Sequence, residues 1–269
     1  MPGRDRITLP VLQAKKERGE KIVMITCYDY PSARLLDDSG ADILFVGDSL
    51  GNTVLGYENT LAVTLEDILH HAKAVRRGTR RALLMADMPF LTFQVSPEEA
   101  LANAGRLLKE AGVQAVKIEG GAPMVPVVRK LVQAGVPVMG HLGLTPQAIH
   151  LFGGHRMQGR EPEQADRLRR DARALEEAGA FALVLELIPW PLAAEITSSL
   201  GIPTIGIGAG AGCDGQVQVF HDLFGLFPEL HLRHARRYAE AGTLIRDAAR
   251  RFVQDVRSGA FPGLGEQGD

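Results

Sequence analysis

Cysteine is scarce in this chain of 269 residues, in which Cys27 and Cys213 are the only two. They lie far apart and lack the spacing of metal ligands, so the sequence argues against a disulfide framework and fits a reducing compartment. An excess of charge of either sign is also missing. The 30 Lys and Arg residues nearly balance the 32 Asp and Glu residues, and the net charge of −2 gives no reason to expect nucleic acid or an anionic membrane as a partner.

Long apolar runs are absent as well. No run is long enough to cross a bilayer, and the first segment, MPGRDRITLPVLQAKKERGEK, lacks the apolar core of a signal peptide. We therefore expect a cytoplasmic protein. Hydrophobic residues make up 45% of the chain and charged residues 23%, a balance typical of a globular protein with a large core. Because no linker or low-complexity segment divides the chain, we expect residues 1–269 to form a single domain.

Short apolar runs alternate eight times with helical segments. Because the runs are nearly continuous in Val, Ile, Leu and Ala, they predict parallel strands that are buried on both faces. Eight such units in a chain of this length favour a closed (β/α)8 barrel over an open doubly wound sheet. We also expect an N-terminal helix near Leu9–Lys16, C-terminal helices from Leu230 to Ser258 and a loosely ordered tail, FPGLGEQGD. The predicted strands are KIVMITCYD, DILFVGD, RALLMADMPF, QAVKIEGG, VPVMGH, FALVLE, PTIGIGAG and a weaker VQVFHD that would end on His221 and Asp222.

Four of these apolar runs end on an acidic residue: Asp48, Asp87, Glu119 and Glu186. The carboxyl ends of barrel strands carry active sites, and a carboxylate beside a buried strand is costly unless it is paired. The first three would end neighbouring strands, so they predict a site for a hard divalent cation such as Mg²⁺. The alternative for each of them alone is a helix cap or an ordinary ion pair.

Lys117, His141 and the fourth acid, Glu186, are further candidates for functional roles at the same rim. Lys117 lies two residues before Glu119 and so points to the same face, either as an ion-pair strut or as an anchor for a substrate anion. Surrounding carboxylates would keep its amine protonated, which opposes a Schiff-base role. Glu186 lies in an apolar setting, VLELIPW, that suits a general acid or base, although a helix cap is the alternative. His141 could polarise an oxygen or bridge to a carboxylate, or it could serve only as a structural hydrogen-bonder.

Three glycine clusters, at 47–51, 153–160 and 206–212, are weaker signals. The last lacks the lysine of a Walker loop and the context of a dinucleotide fingerprint, so it indicates at most a close approach of ligand to backbone. The middle cluster contains His155, Arg156 and Arg160 and could form a lid over an anionic substrate or an exposed basic loop.

Long segments, in this order, resemble the ketopantoate hydroxymethyltransferase family from about Leu9 to Gly263. They are TCYDYPSARLLDDSGADILFVGDSLGNTVLGYENTLAVTLEDILHHAKAVRRG, LLMADMPF, VKIEGG, GHLGLTPQ, FGGHRMQGR, LELIP and GIGAGAGCDGQVQVFHD. The resemblance implies a (β/α)8 barrel of the phosphoenolpyruvate/pyruvate superfamily, assembled as a homodecamer of two five-membered rings. It also implies transfer of a one-carbon unit from 5,10-methylenetetrahydrofolate to 3-methyl-2-oxobutanoate, the first committed step of pantothenate synthesis.

The resemblance also implies roles for individual residues. Asp48 and Asp87 would bind Mg²⁺, and Glu119 would be the third metal-site carboxylate, acting directly or through water. Ser49 and Lys117, with the two aspartates, would contact the substrate. Glu186 would be the catalytic base that removes the C3 proton. The resemblance assigns no role to His141, which stays a candidate accessory group because of its place at a strand end.

Two alternatives are another Mg²⁺-dependent 2-oxo acid lyase or mutase on the same barrel, and a non-catalytic metabolite-binding barrel. Lyases of the isocitrate lyase type carry a reactive cysteine in a K-C-G-H-like segment, and neither cysteine of this chain has that context. The complete set of acidic and lysine site residues argues against a barrel that has lost its chemistry.

Overall fold

Eight parallel strands pair side by side in chain order, and the eighth pairs with the first, so the sheet closes into a barrel. The computed structural model describes residues 6–230, 232 and 235–263. Helices alternate with the strands, and the predicted (β/α)8 fold is confirmed. The strands are β1 (Ile22–Thr26), β2 (Ile43–Val46), β3 (Leu83–Asp87), β4 (Ala115–Glu119), β5 (Val138–Gly143), β6 (Ala182–Glu186), β7 (Thr204–Ile207) and β8 (Gly215–Gln218).

The helices begin and end at the signals in the sequence. Thr64 and Asp67 form a reciprocal capping box, and Ser96 caps the helix that starts at Pro97. Gly40, with φ of 98°, ends the helix after β1, because this left-handed conformation is easy for glycine. The helices of this part of the chain are α1 (Leu9–Glu17), α2 (Tyr30–Ser39), α3 (Leu50–Thr53), α4 (Leu65–Gly78), α5 (Pro97–Ala111), α6 (Val125–Gln133), α7 (Ile149–Phe152), α8 (Pro162–Glu177) and α9 (Trp190–Ser199).

The barrel interior is a packed apolar core that positions the polar rim above it. Its members include Met85, Ala115, Met139 and Val184. Side chains two residues apart on a strand share a face. The same inward-facing rows therefore continue, toward the carboxyl ends of β3 to β6, into acidic and basic residues.

Two predicted boundaries near the C-terminus are wrong. The last strand ends at Gln218 and α10 (Phe220–Leu223) follows, so His221 and Asp222 lie on a helix instead of a strand end. A short apolar run such as VQVFHD does not by itself distinguish a strand from a helix.

The second wrong boundary is the predicted helix start at Leu230. Helix α11 (Ala241–Ser258) begins eleven residues later, and the described residues between 230 and 240 are not helical. The Arg237 guanidinium donates to the carbonyl oxygens of Phe227, Pro228 and Leu230, which stabilises a loop in place of a helix. Residues 231, 233 and 234 of the predicted helix lie outside the described residues, as do residues 264–269 of the tail FPGLGEQGD and residues 1–5 of the first segment.

The chain divides into two compact units, Met1–Val219 and Phe220–Asp269. The first contains all eight strands, and the second contains α10 and α11. That residues 1–269 form a single domain stays a prediction. In the described part of the chain, no helix combines the length and the apolar character needed to span a membrane.

Candidate active site

Six predicted site residues lie at the carboxyl ends of five neighbouring strands. In the strand register Asp87 lies opposite Lys117, and Glu119 lies opposite His141. All six except Glu186 are buried, and the Glu186 side chain is 14% exposed. Their positions are Asp48 just after β2, Asp87 on β3, Lys117 and Glu119 on β4, His141 on β5 and Glu186 on β6.

The Lys117 ammonium lies at the centre of this group. Its Nζ atom is 2.7 Å from Asp87 Oδ1, donates to Glu119 Oε1 at 3.1 Å and lies 3.3 Å from His141 Nδ1. Burial, the largest influence, disfavours the charged amine, but the carboxylates of Asp87, Glu119 and Asp48 outweigh burial and raise the pKa of Lys117. Lys117 is therefore a cation, as expected of an ion-pair strut or an anion anchor.

Asp48 and Asp87 form a pair of buried carboxylates. The Asp48 backbone N–H donates to Asp87 Oδ2 at 2.9 Å. Burial raises the pKa of both carboxyls, and for Asp48 the charges of Asp87 and Glu119 add to the effect and raise it well above its usual range. Asp87 Oδ1 lies within ion-pair distance of Lys117 Nζ, but the contact lacks the alignment of a hydrogen bond, so this buried oxygen has no hydrogen-bond partner among the described residues.

His141 bridges two carboxylates that lie on opposite sides of its ring. Its Nδ1 is 3.3 Å from Glu119 Oε1, and its Nε2 is 3.2 Å from Glu186 Oε2. The second contact has the distance of an ion pair without the alignment of a hydrogen bond. Burial and Lys117 lower the pKa of the ring, but the two glutamates outweigh them and raise the pKa of His141 to about 9.

The Glu119 carboxylate is stabilised from several directions. Burial disfavours its charge, but the Lys117 cation, the His141 ring 3.3 Å away and a hydrogen bond from the Gln147 backbone N–H lower the pKa of Glu119 to about 2. The Gln147 N–H donates to Glu119 Oε2 at 3.0 Å. Glu119 is therefore ionised, and each of its two oxygens accepts a hydrogen bond from the protein.

Sequence reasoning missed Gln147, which lies on a single 3₁₀ turn, Pro146–Ala148, after β5. Its side-chain Nε2 donates to Asp48 Oδ2 at 2.9 Å and to the Met88 carbonyl at 3.0 Å. The signal that could have pointed to it is its place in GHLGLTPQ, a few residues beyond the strand that carries His141.

Tyr28 was missed for a similar reason. It follows β1, is buried, and its hydroxyl lies 2.8 Å from the hydroxyl of Ser49, a predicted substrate contact. Burial raises the pKa of Tyr28 to about 12, so the phenol stays protonated. The segment TCYDYP contains this tyrosine, but nothing in its spacing relates it to Ser49.

The glycine-rich segment 153–160 contacts the end of β6. The Gln158 N–H donates to the Leu187 carbonyl at 2.8 Å, and Leu187, directly after Glu186, has a positive φ of 44°. Its basic residues His155, Arg156 and Arg160 are exposed. The structure thus places the segment beside Glu186 without bringing its cations into the buried group.

A ready-made metal centre is not present: among residues 6–230, 232 and 235–263, no three His, Cys, Asp or Glu side chains are arranged to hold a metal ion. The Lys117 ammonium lies between the carboxylates of Asp87 and Glu119, and the Gln147 side-chain amide donates a hydrogen bond to Asp48. The charges nevertheless suit a divalent cation. In the described part of the chain, the four carboxylates of Asp48, Asp87, Glu119 and Glu186 meet two cationic groups, Lys117 and His141. Asp87 Oδ1, which has an ion pair with Lys117 but no aligned hydrogen bond among the described residues, also fits a cation at the two aspartates.

Together, the fold and this group define a (β/α)8 barrel with a polar, carboxylate-rich site at the carboxyl ends of its strands. Solved structures share the fold. One is 2,3-dimethylmalate lyase, a PEP mutase/isocitrate lyase superfamily member (TM-score 0.58, 19% identity, 97% of this chain and 91% of that chain). Another is phosphonopyruvate hydrolase in complex with oxalate and Mg²⁺ (TM-score 0.61, 14% identity, 96% and 92%).

The chain belongs to the ketopantoate hydroxymethyltransferase family, whose family model matches residues 6–264. A 3-methyl-2-oxobutanoate hydroxymethyltransferase from Gluconacetobacter diazotrophicus is 58% identical over 257 residues, which cover 96% of this chain and 92% of that protein. The family resemblance noted in the sequence is thereby confirmed.

Proposed function

We propose that this chain transfers the one-carbon unit of 5,10-methylenetetrahydrofolate to 3-methyl-2-oxobutanoate and so forms 2-dehydropantoate, a step of pantothenate synthesis. Membership of the hydroxymethyltransferase family supports the reaction. The observation that carries the mechanism is the separation of the carboxylates. Asp48 and Asp87 lie together on one side of Lys117, and Glu186 lies beyond His141 on the other.

Asp48 and Asp87 would hold Mg²⁺, and Glu119 would act on it through water, because protein donors already engage both Glu119 oxygens. When bound, Mg²⁺ would supply positive charge to the carboxylate and ketone oxygens of the 2-oxo acid. Lys117 would add a second positive charge beside the same oxygens. Ser49, oriented by the Tyr28 hydroxyl, would donate a hydrogen bond to the substrate.

Glu186 would remove the proton from C3 of the substrate. It is the least buried carboxylate of the group, and it contacts the protonated His141 ring, which holds it in place. The electron pair left on C3 would then form the new C–C bond to the methylene carbon while one of the two C–N bonds between that carbon and the folate breaks. Water would replace the second folate nitrogen on this carbon, supplying the hydroxyl of 2-dehydropantoate and releasing tetrahydrofolate. Carboxylates usually accelerate such proton transfers by about 10²–10⁴-fold.

Hydrogen exchange at C3 tests the base apart from the folate. With Mg²⁺ and 3-methyl-2-oxobutanoate in deuterated water, the protein should exchange the C3 proton without folate, and Glu186→Gln should exchange at least about 100-fold more slowly. Glu163→Gln, which changes an exposed glutamate on α8, is the control. Equal exchange by Glu186→Gln would remove Glu186 from this role, and absence of 2-dehydropantoate when folate is supplied would overturn the function.

We further propose that the protein is cytoplasmic and assembles as a homodecamer, with residues 1–269 folding as one domain. The decamer rests on the family resemblance, and α11 supports self-association because large apolar side chains on it are exposed, among them Leu244, Phe252 and Val256. Light scattering should give about ten times the 29.1 kDa chain mass. A mass near that of one chain would reject the assembly.

A further inference from the structure

Gln147 joins two of the carboxylates by two different parts of one residue. Its side-chain Nε2 donates to Asp48 Oδ2 at 2.9 Å, and its backbone N–H donates to Glu119 Oε2 at 3.0 Å. Asp48 follows β2 and Glu119 ends β4, whereas Gln147 comes from the loop after β5. One buried loop residue therefore connects acids from two other strands.

The orientation of the Gln147 amide is fixed. Both protons of Nε2 have acceptors, since the Met88 carbonyl lies 3.0 Å from Nε2 in addition to Asp48 Oδ2. The opposite atom, Oε1, accepts from Gln94 Nε2 at 3.1 Å. A flipped amide would place Oε1 against two acceptors, so these contacts hold the donor toward Asp48.

The hydrogen bond from Gln147 fixes the orientation of the Asp48 carboxylate. Its Oδ2 accepts from an amide whose orientation is fixed, whereas no hydrogen bond to Oδ1 is formed by the described residues, so Oδ1 is the oxygen presented to a ligand. We infer that Gln147 is a positioning residue, which sets the orientation of Asp48 and Glu119 toward a divalent cation and is itself held by Gln94. The inference rests on the metal site in the proposed function. Residues that orient metal ligands are usually worth about 10–100-fold in metal affinity.

Direct measurement of Mn²⁺ binding by electron paramagnetic resonance tests this role without turnover. Gln147→Met keeps the length of the side chain and the backbone N–H but removes the amide. We expect its Kd for Mn²⁺, with and without 3-methyl-2-oxobutanoate, to rise about 10–100-fold. Gln114→Met is the matched control, because Gln114 lies at the opposite end of β4, where it accepts from the Leu84 N–H.

A second variant covers the case that Gln147→Met does not fold. Gln94 is only half buried, and Gln94→Met removes the donor that fixes the Gln147 amide. Its Kd for Mn²⁺ should also rise, by less than that of Gln147→Met. Because Gln94 would act through Gln147, the double variant should bind Mn²⁺ no more weakly than Gln147→Met alone.

The outcomes separate this inference from the proposed function. Unchanged Mn²⁺ affinity in Gln147→Met, or in Gln94→Met where only that variant folds, overturns the inference while the function stands. A wild-type protein that binds no Mn²⁺ overturns the inference together with the metal site. In turnover, a rise in the KM for Mg²⁺ with little change in kcat supports a positioning role, and a fall in kcat alone contradicts it.

Discussion

Lys117 and Asp87 lie opposite each other on β4 and β3, and the Lys117 ammonium approaches Asp87 Oδ1 to 2.7 Å in a place almost closed to solvent. Removing a buried cation leaves its carboxylate partners uncompensated, which usually costs several kcal/mol. The same cation also lies within reach of Glu119, so its loss would affect two acids at once.

We therefore expect Lys117→Met to lower the free energy of unfolding by about 3–5 kcal/mol. Urea denaturation at pH 7 measures this. Lys130→Met is the control, because Lys130 forms a half-exposed pair with Glu98 on the surface, and such pairs contribute about 0–1 kcal/mol. A loss for Lys117→Met no larger than that of the control would show that the buried pair does not balance the carboxylates.

Asp48→Asn should make the metal-free protein more stable and less responsive to metal. Burial and the charges of Asp87 and Glu119 raise the pKa of Asp48 well above its usual range, so its charge is unfavourable in the fold. A neutral amide should therefore raise the free energy of unfolding without metal. Calorimetric melting with and without Mg²⁺ tests this, because a ligand of the native state raises the melting temperature of wild type.

Two results would contradict this prediction. One is an Asp48→Asn variant that is less stable than wild type without metal. The other is a variant whose melting temperature rises with Mg²⁺ as much as that of wild type, which would place the cation elsewhere. Asp38→Asn, on an exposed part of α2, is the control for the loss of one negative charge.

Tyr28→Phe should weaken substrate binding through Ser49. The substitution removes a buried hydroxyl that lies 2.8 Å from Ser49 Oγ, at a cost of about 1 kcal/mol in stability. If Ser49 contacts the 2-oxo acid, the KM for that acid should rise, because the serine hydroxyl loses its fixed direction. Steady-state kinetics measures the effect, with Tyr57→Phe, a partly exposed tyrosine, as the control. An unchanged KM would show that the Tyr28 hydroxyl does not contribute to substrate binding.

The barrel and its acidic rim were predictable because both depend on repeated local patterns. Eight apolar runs determine the number of strands, and an acid at the end of a run must lie at the carboxyl end of that strand. The two-residue spacing of Lys117 and Glu119 likewise fixes their common face.

The contacts of Gln147 and Tyr28 could not be predicted in this way. Each depends on where a loop places a side chain against another strand, 99 residues apart in the case of Gln147 and Asp48. Arg237 is a comparable case. Its guanidinium donates to three backbone carbonyl oxygens and so stabilises a loop where the sequence predicts the start of a helix. Tertiary contacts of this kind override the secondary-structure preference of the local sequence.

The buried thiol of Cys27 should make the protein less stable at alkaline pH. Burial raises the pKa of Cys27 from 9.0 to about 12, so the folded state keeps the proton over a range in which the unfolded chain releases it. The stability that this thiol contributes is complete below pH 9 and is lost as the pH rises toward 12.

Cys27→Ala should therefore show a shallower decline in the free energy of unfolding between pH 9 and about pH 10.5 than wild type. Urea denaturation across this range gives, for each protein, the slope of the free energy of unfolding against pH. Comparing the slopes of the two proteins removes any cost of the substitution that does not depend on pH. His141 loses its stabilising proton mainly between pH 6.5 and about 9, below this window, and remains in both proteins. Parallel curves would show that the Cys27 thiol titrates alike in the folded and unfolded chain.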